Sequence, residues 1–424
     1  MKGVILKQNK EMSKNYFTVY HKPKWIYIPL IVGNDTDITV LVKKDDYVCK
    51  GEIVARRKGP LSIPLFASVS GTVVAFEEKL HHSGHYVKCI KIENDFKERM
   101  EEKTENNEIT KYTKEEFIEN LKNAGIVGMG GAGFPTYIKY QTEQPIHTLI
   151  VNAVECEPYI TADYTIGVQK SLEILETIDA ILEINHIQKA IIAVKKNNKE
   201  LLQALQTRVG TYVNIKIVEV PNSYPMGWEK NLVQYITKRT YHKLPNEIGV
   251  VVNNISTIYA IYQALKNKMP LIERVITITG DMVKQPTNVH VKIGTPAHEV
   301  IEKIGGLKRA KDILCIAGGP MMGVTLPSDD VIITADMNAL VILRKQEDLM
   351  EQTCMHCGKC VEVCPARIEP VFIKESCLNQ EALQKLRVNQ CVECGLCSYI
   401  CPAKIKVREY VKKAKETLRK GVSS

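Results

Sequence analysis

Eight cysteines near the C-terminal end of the chain recur in a fixed pattern. The sequence reads Cys354-Met-His-Cys357-Gly-Lys-Cys360-Val-Glu-Val-Cys364-Pro365 and returns as Cys391-Val-Glu-Cys394-Gly-Leu-Cys397-Ser-Tyr-Ile-Cys401-Pro402. Three thiolates at this spacing wrap one iron-sulfur cubane, while the cysteine before proline reaches the other. The pattern therefore predicts two [4Fe-4S] clusters. One ligand set is Cys354, Cys357, Cys360 and Cys401, and the other is Cys364, Cys391, Cys394 and Cys397.

Zinc knuckles and disulfide bridges are the alternative use of such cysteines. Zinc sites rarely repeat three ligands at this interval and follow them with Cys-Pro. Two adjacent clusters carry single electrons, so the pattern predicts electron transfer. The chain has 13 cysteines, and the roles of Cys156 and Cys377 outside the two sets stay open.

Composition limits the class of protein. The chain has 424 residues, a length that predicts about three or four domains. The net charge of +9 is spread thinly except near the C-terminal end, and we expect no nucleic-acid partner. We find no apolar run long enough to span a membrane and no signal peptide. Cluster thiolates need a reducing compartment, so we expect a cytoplasmic protein, and peripheral membrane association is compatible with that.

The first part of the chain alternates short β-branched runs with Gly, Pro and Asp, which is typical of a small barrel. Residues 42–55 and 64–74 resemble the barrel-sandwich hybrid fold of biotinyl and lipoyl carriers. Carriers hold a modifiable lysine at a hairpin tip, whereas the corresponding turn here reads Ala67-Ser-Val-Ser-Gly71. We therefore expect a structural domain without a swinging arm.

A glycine-rich stretch follows and reads Gly125-Ile-Val-Gly128-Met-Gly130-Gly131-Ala-Gly133-Phe-Pro135-Thr-Tyr-Ile-Lys139. It contains Gly-x-Gly-x-x-Gly, but a helical pattern rather than a strand precedes it, so it lacks the context of a Rossmann fingerprint. Glycines let backbone amides approach an anion, and Pro135 suits the first turn of a helix whose N-terminus attracts phosphate. The stretch predicts a phosphate-binding loop, with a flexible turn as the alternative.

Polar residues follow two apolar strands farther along the chain. One strand runs into Asn152-Ala-Val-Glu155-Cys-Glu157-Pro158, and another ends in Asn253-Asn254-Ile-Ser-Thr257. Between them lies the loop Tyr224-Pro-Met-Gly227-Trp-Glu229. Ligands of α/β sheets bind at the carboxyl ends of strands, so these segments predict a ligand site. Glu155 and Glu157 would there bind ribose hydroxyls or repel a phosphate.

Together these motifs resemble the FMN- and NADH-binding subunit of respiratory complex I. The runs Glu155-Cys-Glu-Pro-Tyr-Ile-Thr-Ala-Asp163 and Gly318-Gly-Pro-Met-Met-Gly323 are similar to the RnfC family, and the resemblance covers nearly the whole chain. It implies a multidomain α/β protein of four parts in order. These are a barrel-sandwich hybrid at 1–95, a Rossmann-type FMN/NADH-binding α/β domain at 112–280, a β-grasp (SLBB-like) module at 286–340 and a ferredoxin-type helical domain with two [4Fe-4S] clusters at 345–424.

The resemblance also implies which residues bind the cofactors. The glycine loop and Lys139 would hold the FMN phosphate, with the loop represented by Gly128, Gly130, Gly131 and Gly133. The isoalloxazine and ribityl groups would contact Asn152, Asn253, Asn254 and Thr257. The nicotinamide nucleotide would lie beside Phe134, Glu155 and Glu157, and the cofactor-binding set is completed by Tyr224, Gly227 and Glu229. No catalytic side chain is implied, because hydride passes directly to the flavin.

The sequence thus predicts an NADH-dependent oxidoreductase or electron transfer subunit that contains FMN and two [4Fe-4S] clusters. In length and domain order it is most similar to the PrdC group, the proline reductase-associated electron transfer proteins, so D-proline reductase is the expected partner. Residues 17–23 read Phe-Thr-Val-Tyr-His-Lys-Pro, whereas RnfC proteins of the Rnf complex usually have Gly-Gly-Ile-His-Pro. The alternatives are the RnfC subunit of the ion-translocating Rnf complex, a corrinoid reductase similar to PduS, and a flavin-free electron relay.

Overall fold

The fold is described from a computed structural model for residues 3–32, 35–100, 108–310, 312–347 and 349–422. The strands in these residues are β1 Phe17–Tyr20, β2 Trp25–Pro29, β3 Ile38–Val40, β4 Tyr47–Val48, β5 Ile53–Arg57, β6 Pro64–Phe66, β7 Gly71–Leu80, β8 Tyr86–Asn94, β9 Thr148–Ala153, β10 Lys189–Lys195, β11 Ile215–Val220, β12 Val250–Asn254, β13 Glu273–Thr279, β14 Thr287–Lys292, β15 Ile313–Ala317, β16 Val324–Leu326 and β17 Ala339–Arg344.

The α-helices are α1 Lys114–Asn123, α2 Ala162–Gln169, α3 Ser171–Ile184, α4 Lys199–Val209, α5 Glu229–Thr237, α6 Ile255–Lys266, α7 Ala297–Lys303, α8 Lys359–Glu362, α9 Pro370–Glu375, α10 Gln380–Lys385, α11 Leu396–Tyr399 and α12 Val407–Val422. Short 3-10 helices cover Lys10–Met12, Ile109–Lys111, Thr136–Lys139, Pro245–Ile248 and Val388–Gln390. Among the described residues, no helix combines the length and the apolar character that crossing a membrane requires.

Two small antiparallel sheets form the N-terminal barrel. Their strand orders are β2-β8-β7-β4 and β3-β5-β6. Alternate residues of the strands point inward, and Ile26, Val54, Val73 and Ile90 meet there in one fully buried core. This period-2 burial is what the β-branched runs of the sequence predict, and it confirms the barrel-sandwich expectation.

A parallel four-stranded sheet with the order β11-β10-β9-β12 forms the centre of the second part. Successive residues of β9 face opposite sides, so that Leu149 and Val151 join one apolar core while Ile150 joins another. Burial on both faces explains why this strand reads as a continuous apolar run. The carboxyl ends of β9 and β12 lie side by side and carry the polar residues of the predicted ligand site.

The third part is a six-stranded sheet with the order β1-β14-β13-β17-β15-β16, packed against α7. Its core includes Ile276, Val289, Val291 and Leu340. Strands β1 and β13 both belong to this sheet, although the sequence places them in the flanking domains. The domain boundaries themselves stay a prediction.

The cysteine-rich part consists of the short helices α8 to α11 and the longer α12. Helix α12 contributes Val407, Val411 and Ala414 to a core that also contains Ile373 and Leu383. The cysteines line the edges of this core rather than its centre. The short helices leave room for two cavities between them, and those cavities are the first element of the site.

Candidate functional site

Two cavities in the cysteine-rich part are each lined by four cysteines. The first contains Cys354, Cys357, Cys360 and Cys401. The second contains Cys364, Cys391, Cys394 and Cys397. All eight thiols are free of disulfide bonds. Four thiols around one cavity is the ligand number that a cubane needs, so these residues fit two [4Fe-4S] clusters.

The two cysteine repeats fold in the same way because each has a glycine at the same position. Gly358 and Gly395 adopt left-handed conformations with φ of 74° and 77° and begin α8 and α11. A side chain would strain this conformation, which turns the backbone around the cavity. Burial raises the pKa of Cys394 to about 11 and that of Cys397 to about 12. Iron binds thiolates, so loading the second cavity with a cluster releases protons.

The glycine stretch forms a closed loop. The Gly128 amide donates to the Phe134 carbonyl at 2.8 Å, and the Gly133 amide donates to the Gly128 carbonyl at 3.1 Å. Gly130 and Gly131 lie exposed at the tip, and Gly131 has a φ of 108°. Phe134 is half-buried at the base of the loop. The tip can therefore present backbone amides to a ligand without obstruction from side chains.

The loop is held over the end of β12. The Met129 amide donates to Thr257 Oγ1 at 3.0 Å. A Cβ atom at Gly130 would lie 3.2 Å from Asn254 Nδ2, and one at Gly133 would lie 2.7 Å from Asp336 Oδ2. Glycine at both positions allows an approach that any side chain would obstruct. The structure thus brings the glycine loop together with Asn254 and Thr257.

The prediction of a phosphate-attracting helix at Pro135 was wrong. Residues Thr136–Lys139 form a 3-10 helix of 4 residues, which is too short to have an appreciable dipole. Lys139 Nζ donates to the Val252 carbonyl at 2.6 Å, and burial lowers the pKa of this lysine. The side chain of Lys139 therefore lies against β12, and its role at the FMN phosphate stays a prediction.

Asn152 and Asn254 are register partners at the ends of β9 and β12. Asn254 caps α6 by accepting from the Ser256 amide at 2.9 Å, and its Nδ2 donates to Asp163 Oδ2 at 2.6 Å. Asn152 Nδ2 donates to the Gly227 carbonyl at 2.8 Å, which ties β9 to the loop before α5. These bonds fix both side chains at the sheet edge beneath the glycine loop.

Asn253 faces the opposite side of the sheet from Asn254, because successive residues of a strand alternate. It is buried and donates to the Tyr140 hydroxyl, while its Oδ1 has no hydrogen-bond partner among the described residues. The structure therefore separates Asn253 from the neighbouring asparagine with which the sequence grouped it.

Glu155 lies next to the sheet edge. Its backbone is left-handed, with a φ of 39°, and its Oε1 accepts from the Asp163 amide at 2.8 Å. Lys10 Nζ donates to the Glu155 carbonyl at 2.8 Å and lies 3.3 Å from its Oε2. Burial raises the pKa of the Glu155 carboxyl to about 7.

Glu157 turns away from Glu155 toward the loop before β16. Its carboxylate accepts from the amides of Met321 at 3.1 Å and Met322 at 2.9 Å. Burial raises its pKa to about 7. The two carboxylates of one motif therefore have different partners and lie in different places.

Tyr224 faces the second cysteine set rather than the glycine loop. Its hydroxyl donates to the Cys394 carbonyl at 2.7 Å, and its ring packs with Met321 and Leu396 in a buried apolar cluster. Glu229 begins α5 and accepts from the Tyr241 hydroxyl at 2.9 Å. Tyr224 thus connects the α/β part to the ligand loop of the second cavity.

Sequence reasoning missed three residues that build this region. Asp163 was visible as the end of the Glu155 motif, but its bonds to α6 were not. Lys10 contacts Glu155, which lies 145 positions away along the chain, and Arg408 contacts Met322, which lies 86 positions away. A local pattern carries no signal for such contacts.

A glycine loop over the strand ends of a parallel sheet, followed by two four-cysteine cavities, defines an iron-sulfur flavoprotein of electron transport. Residues 121–263 match the family model of the Nuo51 FMN-binding domain. Residues 1–97 match the RnfC barrel sandwich hybrid domain, and residues 275–325 match the SLBB domain. The chain belongs to the RnfC family.

Curated relatives agree with this family, and each is the C component of its complex. The chain is 33% identical to that of the Na(+)-translocating ferredoxin:NAD(+) oxidoreductase complex of Acetobacterium woodii over 84% of this chain and 81% of that protein. It is 33% identical to the proton-translocating counterpart of Clostridium ljungdahlii over 85% of this chain and 80% of that protein. It is 34% identical to the counterpart in the ion-translocating oxidoreductase complex of Rhodobacter capsulatus over 82% of this chain and 69% of that protein.

A solved structure shares the fold. The NAD+-reducing [NiFe]-hydrogenase in its air-oxidized state aligns with a TM-score of 0.54 at 15% identity, over 74% of this chain and 67% of that chain. At this identity the likeness shows the fold alone. The FMN-binding domain and the cysteine-rich C-terminal region, which is consistent with two [4Fe-4S] clusters, are thus supported by the family match and by the cavities.

Proposed function

We propose that this chain transfers electrons between NADH and two [4Fe-4S] clusters through FMN, as part of an Rnf-type complex. One observation carries the proposal. The cluster cavity of Cys394 packs directly against the FMN-binding part through the Tyr224 hydroxyl, which lies 2.7 Å from the Cys394 carbonyl. Asn152 at the sheet edge donates to the Gly227 carbonyl at 2.8 Å in the same loop as Tyr224, so a covalent and hydrogen-bonded path runs from that edge to the second cavity. When bound, FMN converts the electron pair of a hydride into single electrons.

The side chains of the chain place and shield the reacting groups. The glycine loop presents amides for the FMN phosphate, and Asn152, Asn254 and Thr257 fix the edge against which the flavin lies. Phe134 and Glu155 line the nucleotide side. Four other residues of the predicted set support this region through bonds to a strand carbonyl or to neighbouring side chains: Lys139, Asn253, Gly227 and Glu229.

Glu157 and Tyr224 take a different role in this proposal from the one that the sequence suggested. Glu157 binds the amides of Met321 and Met322, and Tyr224 binds the Cys394 carbonyl. Both therefore hold the cysteine-rich part in place, and neither needs to contact FMN.

The partner is proposed from the relatives. All three relatives are components of an ion-translocating or ferredoxin:NAD(+) oxidoreductase complex, so an Rnf-type membrane complex in contact with the cytoplasm is the first candidate. D-proline reductase, the partner of the PrdC group, is the second candidate. It is favoured by residues 17–23, which depart from the usual Rnf segment; the first four of them form the edge strand β1, on which Phe17 and Val19 are exposed.

The test begins with anaerobic purification and measurement of flavin and iron per chain. NADH is then added, and the absorbance of flavin and clusters is followed together. Bleaching of both supports the proposal, whereas clusters that ignore NADH after FMN has been restored contradict it and favour a flavin-free relay. The Tyr224→Phe variant should slow cluster reduction without slowing flavin reduction.

The partner is tested separately from the cofactor chemistry. Membranes that contain the other proteins of an Rnf complex are mixed with the chain, and ferredoxin-linked NADH turnover is measured. Purified D-proline reductase is the parallel acceptor in a coupled assay of proline reduction. Stimulation by only one of the two partners identifies it, and stimulation by neither contradicts both assignments.

A further inference from the structure

Strands β13 and β14 and the residue that follows β1 place a carboxylate and two imidazoles on one face of the six-stranded sheet. Val19 of β1 pairs with His290 of β14, and His21 follows two residues later on the same face. Glu273 of β13 pairs with Lys292, which shares the face of His290. The alternation of side chains in adjacent strands therefore brings His21, Glu273 and His290 together, far from both cysteine cavities in the sequence.

The three side chains have the spacing of metal ligands. One ligand atom from each lies within 4.8 Å of the others. His290 Nε2 is 3.3 Å from Glu273 Oε2, and His21 Nε2 is 4.0 Å from the same oxygen. A tetrahedral Zn²⁺ with bonds of about 2.0–2.1 Å separates its ligand atoms by about 3.3 Å. Small side-chain rotations would therefore bring the three ligand atoms to the distances that the metal requires.

One nitrogen in this group lacks a partner. His21 Nε2 is buried and makes no hydrogen bond among the described residues. An unsatisfied buried nitrogen costs free energy unless a ligand occupies the site. The imidazole rings lie edge to face with centroids 4.5 Å apart, and the Nε2 atoms of both rings lie beside the same oxygen of Glu273.

Two nearby lysines contact one carboxylate oxygen of Glu273 and leave the other available to a metal. Lys292 Nζ contacts Glu273 Oε1 at 3.1 Å, and Lys50 Nζ lies 3.6 Å from the same oxygen. Both lysines also pair with Glu98 Oε2 at 2.7 Å. Two carboxylates therefore balance two ammonium groups, and Glu273 Oε2 faces the imidazoles.

We propose that His21, Glu273 and His290 form a second type of metal centre, a three-ligand site for a divalent transition metal of the zinc class. Imidazole nitrogen and carboxylate oxygen suit Zn²⁺, and a water completes the tetrahedron. The metal links β1, β13 and β14, and it fixes the segment that leads from β1 into the barrel. The site is independent of the flavin and of the iron-sulfur clusters.

The test uses the full chain purified with its clusters and flavin, so that the cysteines are occupied. Zn²⁺ is added, the excess is removed, and zinc and iron per chain are measured with the zinc X-ray absorption spectrum. The proposal expects about one Zn²⁺ per chain with nitrogen and oxygen neighbours only. His21→Ala and His290→Ala should each weaken Zn²⁺ binding in chelator competition by more than the roughly 10–100-fold that loss of an outer-shell partner costs, with iron unchanged.

Two further variants separate loss of the zinc site from misfolding. Glu273→Gln removes the anionic ligand while keeping the side-chain shape. If an alanine variant misfolds and loses iron, weaker Zn²⁺ binding by Glu273→Gln with iron unchanged is the result that supports the proposal. His298→Ala is the matched control, because His298 pairs with Asp330 at 3.2 Å on another part of the same module. The proposal would be overturned if the zinc spectrum showed sulfur neighbours, if the ligand variants retained as much zinc as the wild-type chain, or if the wild-type chain bound no zinc.

Discussion

Each cluster cavity takes three cysteines from one repeat and the fourth from the other. Cys401 of the second repeat joins the cavity of Cys357, and Cys364 of the first repeat joins the cavity of Cys397. The two cavities are thereby interlocked. Neither repeat can hold a complete cluster without the other.

Serine substitutions test this crossed arrangement. We expect Cys364→Ser and Cys397→Ser to perturb the same cluster, and Cys401→Ser and Cys357→Ser to perturb the other. Loss of one cluster lowers iron from about eight to about four atoms per chain. Electron paramagnetic resonance of the reduced variants shows which cluster signal each substitution changes. If Cys364→Ser and Cys357→Ser changed the same signal, the crossed assignment would be contradicted.

Protonation of the buried Glu157 carboxyl makes the folding stability of the chain depend on pH. Burial raises the pKa of Glu157 from 4.5 to about 7, so the folded chain binds a proton that the unfolded chain has released in this interval. The Glu157 contribution to folding stability is therefore largest at low pH. It is lost as pH rises from about 4.5 to about 7, at about 1.4 kcal/mol per pKa unit.

Glu157→Gln should flatten this pH dependence. Glutamine keeps the length of the side chain but does not titrate, so the free energy of unfolding of the variant should fall less between pH 5.5 and pH 7.5, by about 1–3 kcal/mol. Urea unfolding at several pH values measures the difference from the wild-type chain. Glu119→Gln, an exposed carboxylate on α1, is the control. An unchanged slope in Glu157→Gln would show that Glu157 does not titrate in this interval.

At the scale of elements, the glycine loop depends on its fit over the end of β12. A methyl group at Gly130 would lie 3.2 Å from Asn254 Nδ2, close enough to displace either the loop or the cap of α6. The hydrogen bond that the Met129 amide donates to Thr257 Oγ1 would lengthen as the loop moves. The loop tip would then present its amides in a different position.

Gly130→Ala should therefore weaken FMN binding by about tenfold, equivalent to about 1.4 kcal/mol, without unfolding the chain. Flavin titration of the apoprotein measures the affinity, and thermal unfolding checks the fold. Gly210→Ala is the matched control, because no atom lies within 4 Å of the added methyl group there. Equal FMN affinity in both variants would mean that the loop does not contact the cofactor.

Elements with local patterns were predictable, and pairings between distant segments were not. The apolar runs and polar ends predicted β9 and β12, and the spacing of the cysteines predicted both ligand sets. The sequence did not predict that β1 pairs with β14, because Phe17 and Asn288 meet only through the tertiary fold. The helix expected after Pro135 is a single 3-10 turn, and the bond from Lys139 Nζ to the Val252 carbonyl is again a contact between distant segments.

At the scale of the molecule, a few contacts hold the cysteine-rich part against the rest. Arg408 of α12 donates to the Met322 carbonyl at 2.9 Å and lies 3.5 Å from the Gly323 carbonyl. Glu157 holds the same loop from the other side, and Tyr224 holds Cys394. Electron transfer slows steeply with distance, so under the proposed function we expect these contacts to affect the rate at which electrons pass from the flavin to the second cluster.

Arg408→Ala should loosen this junction. Losing the hydrogen bonds to the Met322 and Gly323 carbonyls costs about 1–3 kcal/mol because the donor is charged. We expect cluster reduction by NADH to slow several-fold while flavin reduction keeps its rate, since the glycine loop is untouched. Stopped-flow absorbance separates the two phases, and limited proteolysis should cut the variant faster after β17.

Lys413→Ala is the control for Arg408→Ala, because it removes an exposed cation from the same helix without touching the junction. Its two phases should match those of the wild-type chain. If flavin and cluster reduction slow together in Arg408→Ala, the residue acts on the nucleotide site rather than on the junction. If neither slows, contacts other than those of α12 with the Met322 loop set the distance between the flavin and the second cluster.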